Sequence, residues 1–296
     1  MILTLIGAAL IASASACADA QQSGGEVADS IPALTAAPAS PRTELTAEER
    51  KFYRDVAKSA WMYLDANYRP ATGFVNATPD WANTTIWDIG GQLLAFRGAK
   101  ELGFLSQAEF DKRTARTLAS LQKASLYRGT AYQKVYSTIT GKVGEGGGKG
   151  YAATDLGRFL VALKVLSVQE PKFKGQIERV VKRIDFSKIV KDGYLHGQLT
   201  GTNGPWVFQE GRIGYEQYVA RGFAEWGADV ANAMDVNKHG RPKQIYGVTI
   251  LEDTRWQDRL LSEPFVLYGI ELGLTGAYRD LAANVLKAQQ ARYDST

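Results

Sequence analysis

The sequence predicts an all-α fold of the (α/α)6 kind, a toroid built from inner and outer helix pairs. Three observations point there: the helical segments fall into two compositional classes, a short motif repeats within the apolar class, and acidic residues recur where apolar segments begin. LSQAEFDKRTARTLASLQK and PKFKGQIERVVKRI are amphipathic and heavily charged, as outer helices should be, whereas DIGGQLLAF, DLGRFLVAL and EPFVLYGIEL are apolar nearly all round and belong inside. Asp88-Ile89-Gly90-x-x-Leu93-x-Ala95 returns as Asp155-Leu156-Gly157-x-x-Leu160-x-Ala162, and Glu101-Leu102-Gly103 returns as Glu271-Leu272-Gly273. Repetition of helix pairs is the mark of stacked helical architectures.

Along the chain, MILTLIGAALIASASACADA is a short apolar run ending in small residues, the pattern of an export signal over residues 1–20 and too short for a membrane span. Ala14-Ser15-Ala16-Cys17 resembles a lipoprotein box with Cys17 as the lipidated residue, while Ala18-Asp19-Ala20 offers ordinary cleavage. Either route carries the protein to the periplasm or envelope of a bacterium, with a lipid on Cys17 as its one expected membrane attachment. Residues 21–44, rich in Ala, Ser, Pro and Gly, read as a flexible tether, and the folded domain is expected over 45–296.

Thr46-Ala47-Glu48-Glu49 is a capping box that opens a helix to about Asn67, and Ser106-Gln107-Ala108-Glu109 opens another to about Lys123. Further helical periodicity covers roughly 86–101, 154–167, 171–184, 214–234, 263–273 and 276–293. Gly90, Gly91, Ala95 and Gly98 would let inner helices approach closely, and QIYGVTIL at 244–251 alternates enough for a short strand. About eight helices result, fewer than a closed ring of six pairs requires, so the chain is expected to lack the final helices.

A length of 296 residues fits one helical toroid, and 45% hydrophobic with 22% charged residues is enough to bury a large core, which excludes disorder of the whole chain. The net charge of +4 comes from scattered lysines and arginines, which argues against a nucleic-acid partner. Cys17 is the sole cysteine, so neither an internal disulfide nor a Cys-based zinc site can form. His196 and His239 lie too far apart for a local metal pair, and no metal or cofactor is expected. GKVGEGGGKG at 141–150 fails the phosphate-loop spacing, with Gly150 where Ser or Thr should follow the lysine, and is read instead as a mobile loop over the mouth.

Acidic residues mark the inner helix starts: Asp88, Asp155, Glu210 with Glu216, and Glu263. Capping and the helix dipole account for any one of them without a function. Their company adds to this. Trp81 and Trp87 precede Asp88, Tyr151 precedes Asp155, Trp206 and Phe208 precede Glu210, and Tyr215 and Tyr218 surround Glu216. Carboxylates beside flat aromatic faces are the equipment of glycoside hydrolysis, in which one carboxyl donates a proton and another activates water or attacks. Asp88 and Asp155 suit a base or an anchor for sugar hydroxyls. Glu210, on an expected loop among aromatics that would desolvate it, suits the general acid, with Arg212 near enough in sequence to oppose that shift.

The catalytic candidates are therefore Glu210, Asp155, Asp88 and Glu216, and the substrate-binding candidates Trp87, Tyr151, Trp206, Arg212, Tyr215 and Glu263. The expected partner is a polysaccharide or oligosaccharide. Helical toroids also host polysaccharide lyases, for which a tyrosine acid and Arg212 on a uronate would serve. A non-catalytic glycan-binding lipoprotein is the third alternative.

The stretches Thr72-Gly73-Phe74-Val75, Thr85-Ile86-Trp87-Asp88-Ile89-Gly90, Thr154-Asp155-Leu156-Gly157-Arg158, Glu210 to Tyr218 (EGRIGYEQY) and Ser262-Glu263-Pro264 resemble those of a bacterial family known as domain of unknown function 3131. That family is allied to glucoamylase-like domains and endo-β-1,2-glucanases. The resemblance spans about Ala60 to Tyr293 and implies an α/α toroid acting on extracytoplasmic glycans. Relatives usually continue past the position of Tyr293, which agrees with the short helix count.

Overall fold

The computed structural model describes residues 45–146, 148–255, 261–274 and 276–296; the expected export signal, Cys17 and the tether lie outside them. The long helices are α1 (Ala47–Ala66), α2 (Ile86–Glu101), α3 (Gln107–Lys123), α4 (Ala153–Gln169) and α5 (Lys174–Val181), which a 3-10 turn at Pro171–Phe173 introduces. After the single turn α6 (Phe186–Ile189) come α7 (Tyr215–Ala224), the single turn α8 (Ala231–Met234), α9 (Glu263–Glu271) and α10 (Gly276–Ser295). The first capping box forms as read: Thr46 Oγ1 accepts the Glu49 amide at 3.1 Å, and the Glu49 carboxylate accepts the Thr46 amide at 2.8 Å. At α3 only half forms, because the Ser106 hydroxyl takes the Glu109 amide while the Glu109 carboxylate turns to Lys112.

The compositional division into layers holds. Helices α2, α4, α7 and α9 are buried on most sides and run the same way through the core. Their N-terminal halves meet one another, and the C-terminal Arg97 of α2 reaches Gln169 of α4. Around them α1, α3, α5 and α10 each bury one stripe, for example Ala57, Ala60, Trp61 and Leu64 on α1. Glycine sets the inner spacing. A Cβ on Gly90 would lie 3.0 Å from the Phe159 Cα, one on Gly157 would strike the backbone of Val219, and one on Gly222 would strike the Gly157 carbonyl.

The fold is mostly helical rather than strictly all-α, and the strands correct the expectation. Short pieces β1 (Tyr68–Arg69), β2 (Phe74–Val75), β3 (Asn83–Thr85), β4 (Leu126–Tyr127), β5 (Ala131–Tyr132) and β6 (Val135–Ser137) tie loops together at the helix ends. Next come β7 (Gly150–Tyr151), β8 (Val190–Lys191), β9 (Tyr194–Gly201) and β10 (Gly204–Gln209). Strands β9 and β10 form an antiparallel ribbon in register from Gly204 opposite Gly201 to Gln209 opposite His196, with β7 on the other edge of β9. The segment read as a loop before Glu210 is therefore a strand. The last ribbon, β11 (Gly240–Ile245) and β12 (Val248–Asp253), includes the expected short strand and turns on Tyr246 and Gly247, both at positive φ as a tight two-residue hairpin requires.

The helix expected over 214–234 ends at Ala224, where Gly227 at φ +88° turns the chain away. The glycine-rich segment 141–150, expected as a mobile loop, is strapped at both ends: Val143 bridges Tyr136, and Lys149 accepts the Thr200 amide at 2.8 Å.

Candidate active site at the inner helix starts

Helices α2 and α4 both place an aspartate three residues after the N-cap, but they satisfy their first amides differently. Thr85 caps α2 locally: its hydroxyl oxygen accepts the Asp88 amide at 3.1 Å, and Asp88 Oδ2 accepts the Thr85 amide at 3.2 Å and the Thr85 hydroxyl at 2.7 Å. The equivalent residue before α4 is Ala152, which has no side chain able to cap. Glu210 supplies the cap from far along the chain, its Oε2 accepting the amides of Ala153 and of Thr154, the latter at 3.3 Å. Asp155 is thereby released from capping, and among the described residues its carboxylate accepts no hydrogen bond.

The ribbon delivers Glu210 to this position. Its amide continues the ladder by donating to the Leu195 carbonyl at 2.8 Å. Gly197 makes the space, since a Cβ there would stand 2.8 Å from the Glu210 carboxyl carbon.

Burial first, and then the charge of Asp155, push the Glu210 carboxyl up to about 7, against the pull of the Thr154 and Ala153 amides and of Lys134. Burial likewise lifts Asp155 to about 6, with Lys134 opposing and Asp88 adding. The Asp88 charge thus acts on Asp155, and the Asp155 charge on Glu210. Lys134, half-buried between β5 and β6, is a functional candidate that the sequence reading missed. Nothing local marked it, because it reaches the carboxylates through the fold.

Half-buried Trp87 lies beside these acids, 6.1 Å from the Tyr215 ring and 6.3 Å from that of Tyr218. Beneath it the Arg158 guanidinium sits 4.9 Å from the indole, bonds the Tyr218 hydroxyl at 2.8 Å and pairs with Glu271 at 3.1 Å. Tyr215 donates to Glu263 at the start of α9. Burial and that carboxylate hold the Tyr215 hydroxyl above the ordinary phenol range. Trp87, Asp88, Asp155, Glu210, Tyr215 and Glu263 therefore gather where the inner helices begin.

The other four candidates are placed differently. Glu216 is fully buried and held by Arg255 Nη2 at 2.5 Å and by the Gln209 amide at 2.8 Å, and the same Nη2 also bonds Asp253 at 2.7 Å. Its surroundings are those of a structural ion pair. Tyr151 is a core residue with 1% exposure, packed on Tyr127 and bonded to the Lys188 carbonyl at 3.4 Å. Arg212 donates to Gln209 at 2.7 Å and to the Gly211 carbonyl, so the Glu210 shift is opposed by amides and Lys134 in place of the anticipated Arg212. Trp206 stands apart on the ribbon and is 61% exposed. Among the described residues no cluster of three or more His, Cys, Asp or Glu is placed to hold a metal ion.

The fold is similar to that of an endo-β-1,2-glucanase from Chitinophaga pinensis, solved with sophorotriose and glucose, at 16% identity and a TM-score of 0.65 over 84% of this chain and 67% of that one. Candidate glucoamylases from Bacteroides caccae and Bacteroides fragilis are similar at 17% and 16% identity, with TM-scores of 0.61 and 0.60. The matches span 80% and 86% of this chain and 67% and 68% of theirs. At such identities the likeness is one of fold, the mostly helical toroid. No curated protein matches in sequence. The family described as protein of unknown function DUF3131 matches residues 55–296, and the chain belongs to it.

Proposed function

We propose that the inner helix starts form the active site of an exported glycoside hydrolase, acting on a glucan or exopolysaccharide by an inverting acid/base mechanism. The observation that carries this reading is the buried cap that Glu210 makes on α4 next to the unbonded Asp155, the two carboxyls raised to about 7 and about 6, at helix starts that also carry the Trp87 and Tyr215 rings. A carboxyl that keeps its proton near neutral pH can donate it to a leaving glycosidic oxygen. The α4 amides grip Oε2 of Glu210, which leaves Oε1 to carry the proton. As the proton leaves, the negative charge falls on a carboxylate already bonded to a helix N-terminus, where it is stabilised.

Asp88, whose Oδ2 is engaged by Thr85, has Oδ1 to orient the attacking water. Trp87 and Tyr215 offer apolar ring faces to a sugar, and Glu263 fixes the Tyr215 hydroxyl. The glucanase and glucoamylase descriptions of the similar structures support a glucan, and the apolar leader supports an extracytoplasmic one.

The test is a panel of glucans and exopolysaccharides, linear β-1,2-glucan included, incubated with the wild type, Asp155→Asn and Glu210→Gln. The expected result is new reducing ends from the wild type alone, with the first product in the inverted anomeric form by NMR. Ultraviolet absorbance from an unsaturated sugar end would instead identify a lyase. Glycan binding without cleavage across the panel would identify a binding protein.

A further inference from the structure

Trp206 and Phe208 alternate along β10, and Glu210 follows two residues on, where its amide still bonds the Leu195 carbonyl, which puts the three on one face of the ribbon. The Trp206 and Phe208 rings lie 4.7 Å apart at an interplanar angle of 35°. Exposure falls along the row, from Trp206 at 61% to the half-buried Phe208 and Glu210. On the partner strand the same face carries Gly197 opposite Phe208, Leu199 opposite Trp206 and Gly201 opposite Gly204. Gly197 is required by its neighbours, since a Cβ there would meet Phe208 Cζ at 3.0 Å as well as the Glu210 carboxyl.

The result is a floor of glycine backbone interrupted by Leu199, with two aromatics standing beside it and the candidate acid at its end. None of the six residues from Gly197 to Phe208 on this face is charged. Folding does not account for Trp206, because the ribbon is already held by the Thr200 amide on Lys149, the Thr200 hydroxyl on Tyr127 and the cap that Glu210 makes on α4. An indole left mostly in water beside a polar backbone suits a ligand with apolar faces and polar edges.

We propose that this face is an extended binding track for a neutral glycan chain, with Trp206 and Phe208 holding sugar units beyond the one at Glu210. The inference rests on the hydrolase reading and names its substrate class: long, uncharged chains. The four extended residue steps from Trp206 to Glu210 span about 13 Å, further than a single sugar ring reaches. Short oligosaccharides bound at Glu210 therefore leave Trp206 unused, and polymers engage it.

The experiment compares wild type, Trp206→Ala and Trp206→Phe on a length series of β-glucan oligosaccharides and on the parent polymers. Trp206→Ala should lower kcat/KM on polymer about tenfold more than on the shortest substrate, and Trp206→Phe should recover most of the difference. Equal losses at every length would overturn the track. Affinity electrophoresis of the same proteins in gels containing linear β-1,2-glucan, β-1,3-glucan or polygalacturonate reads the track without turnover. If the wild type cleaves nothing, retardation by a neutral glucan that Trp206→Ala abolishes still upholds the track while the hydrolase reading fails. No retardation in either neutral gel, equal retardation of both proteins, or stronger retardation by polygalacturonate would overturn it.

Discussion

Helices α2 and α4 begin with the same sequence device and put it to different uses. In α2 the N-cap Thr85 and Asp88 satisfy each other within one turn, which commits one oxygen of the aspartate to the helix. In α4 the cap position has lost its hydroxyl to Ala152, so Glu210 arrives from the ribbon to bond the amides, and Asp155 keeps its oxygens free of hydrogen bonds among the described residues. Long-range capping frees one carboxylate and buries another beside it. A helix start that would otherwise be plain scaffolding thus acquires a pair of carboxyls with raised pKa values.

The largest effect expected from breaking this asymmetry is on turnover. Asp155→Asn should lower kcat by about a hundredfold or more, as expected when a carboxyl taking part in proton transfer is neutralised. Removing the Asp155 charge should also bring the Glu210 carboxyl below about 7, which carbon-13 NMR of the side-chain carboxyls would detect. An unshifted Glu210 would show that the two are not coupled.

Next is stability. Glu210→Ala should cost about 1 to 2 kcal/mol in denaturant unfolding, because the oxygen that caps α4 is lost. Adding Ala152→Ser supplies a local cap like that of α2 and should restore about 1 kcal/mol without restoring activity. Recovery of both together would mean that Glu210 is only a cap.

The pH dependence of stability sharpens the comparison further. Both carboxyls are higher in the folded chain than their ordinary values of 3.8 and 4.5, so folding takes up protons. The stability they contribute is full below about pH 4 and is lost as pH rises through about 6 to 7. Chemical denaturation of the wild type between pH 4 and 8 should show that decline, and the double variant Asp155→Asn with Glu210→Gln should flatten it. The smallest effect belongs to α2, where Thr85→Ala should cost about 1 kcal/mol in thermal or denaturant unfolding and leave the Asp155 and Glu210 titrations in place.

What could be read from the sequence divides along the same line. Thr46 with Glu49 and the two layers of helices were legible because they are written within a few residues, as caps and as 3.6-residue periodicity. The gathering of acids at the helix starts followed from the repeat of Asp88 and Asp155. The ribbon was not legible, since Gly197, Gly201, Gly204 and Pro205 depress strand propensity and the ladder is made by backbone groups that any sequence carries. Nor was the partner of α4, which lies 57 residues away. Glu216 looked like its neighbours in sequence but is neutralised by Arg255, a pairing that depends on where β12 ends.

The glycines between the inner helices have a mechanical consequence for the mouth. With Gly157 backbone against Val219 and Gly222 against the Gly157 carbonyl, α4 and α7 touch without intervening side chains, so neither can slide or rotate without collision. The helix starts therefore hold their spacing like the jaws of a locked caliper. Adjustment to different substrates falls to the hairpins around them, and diversification of sugar preference should appear in the ribbons, with the gauge itself left unchanged.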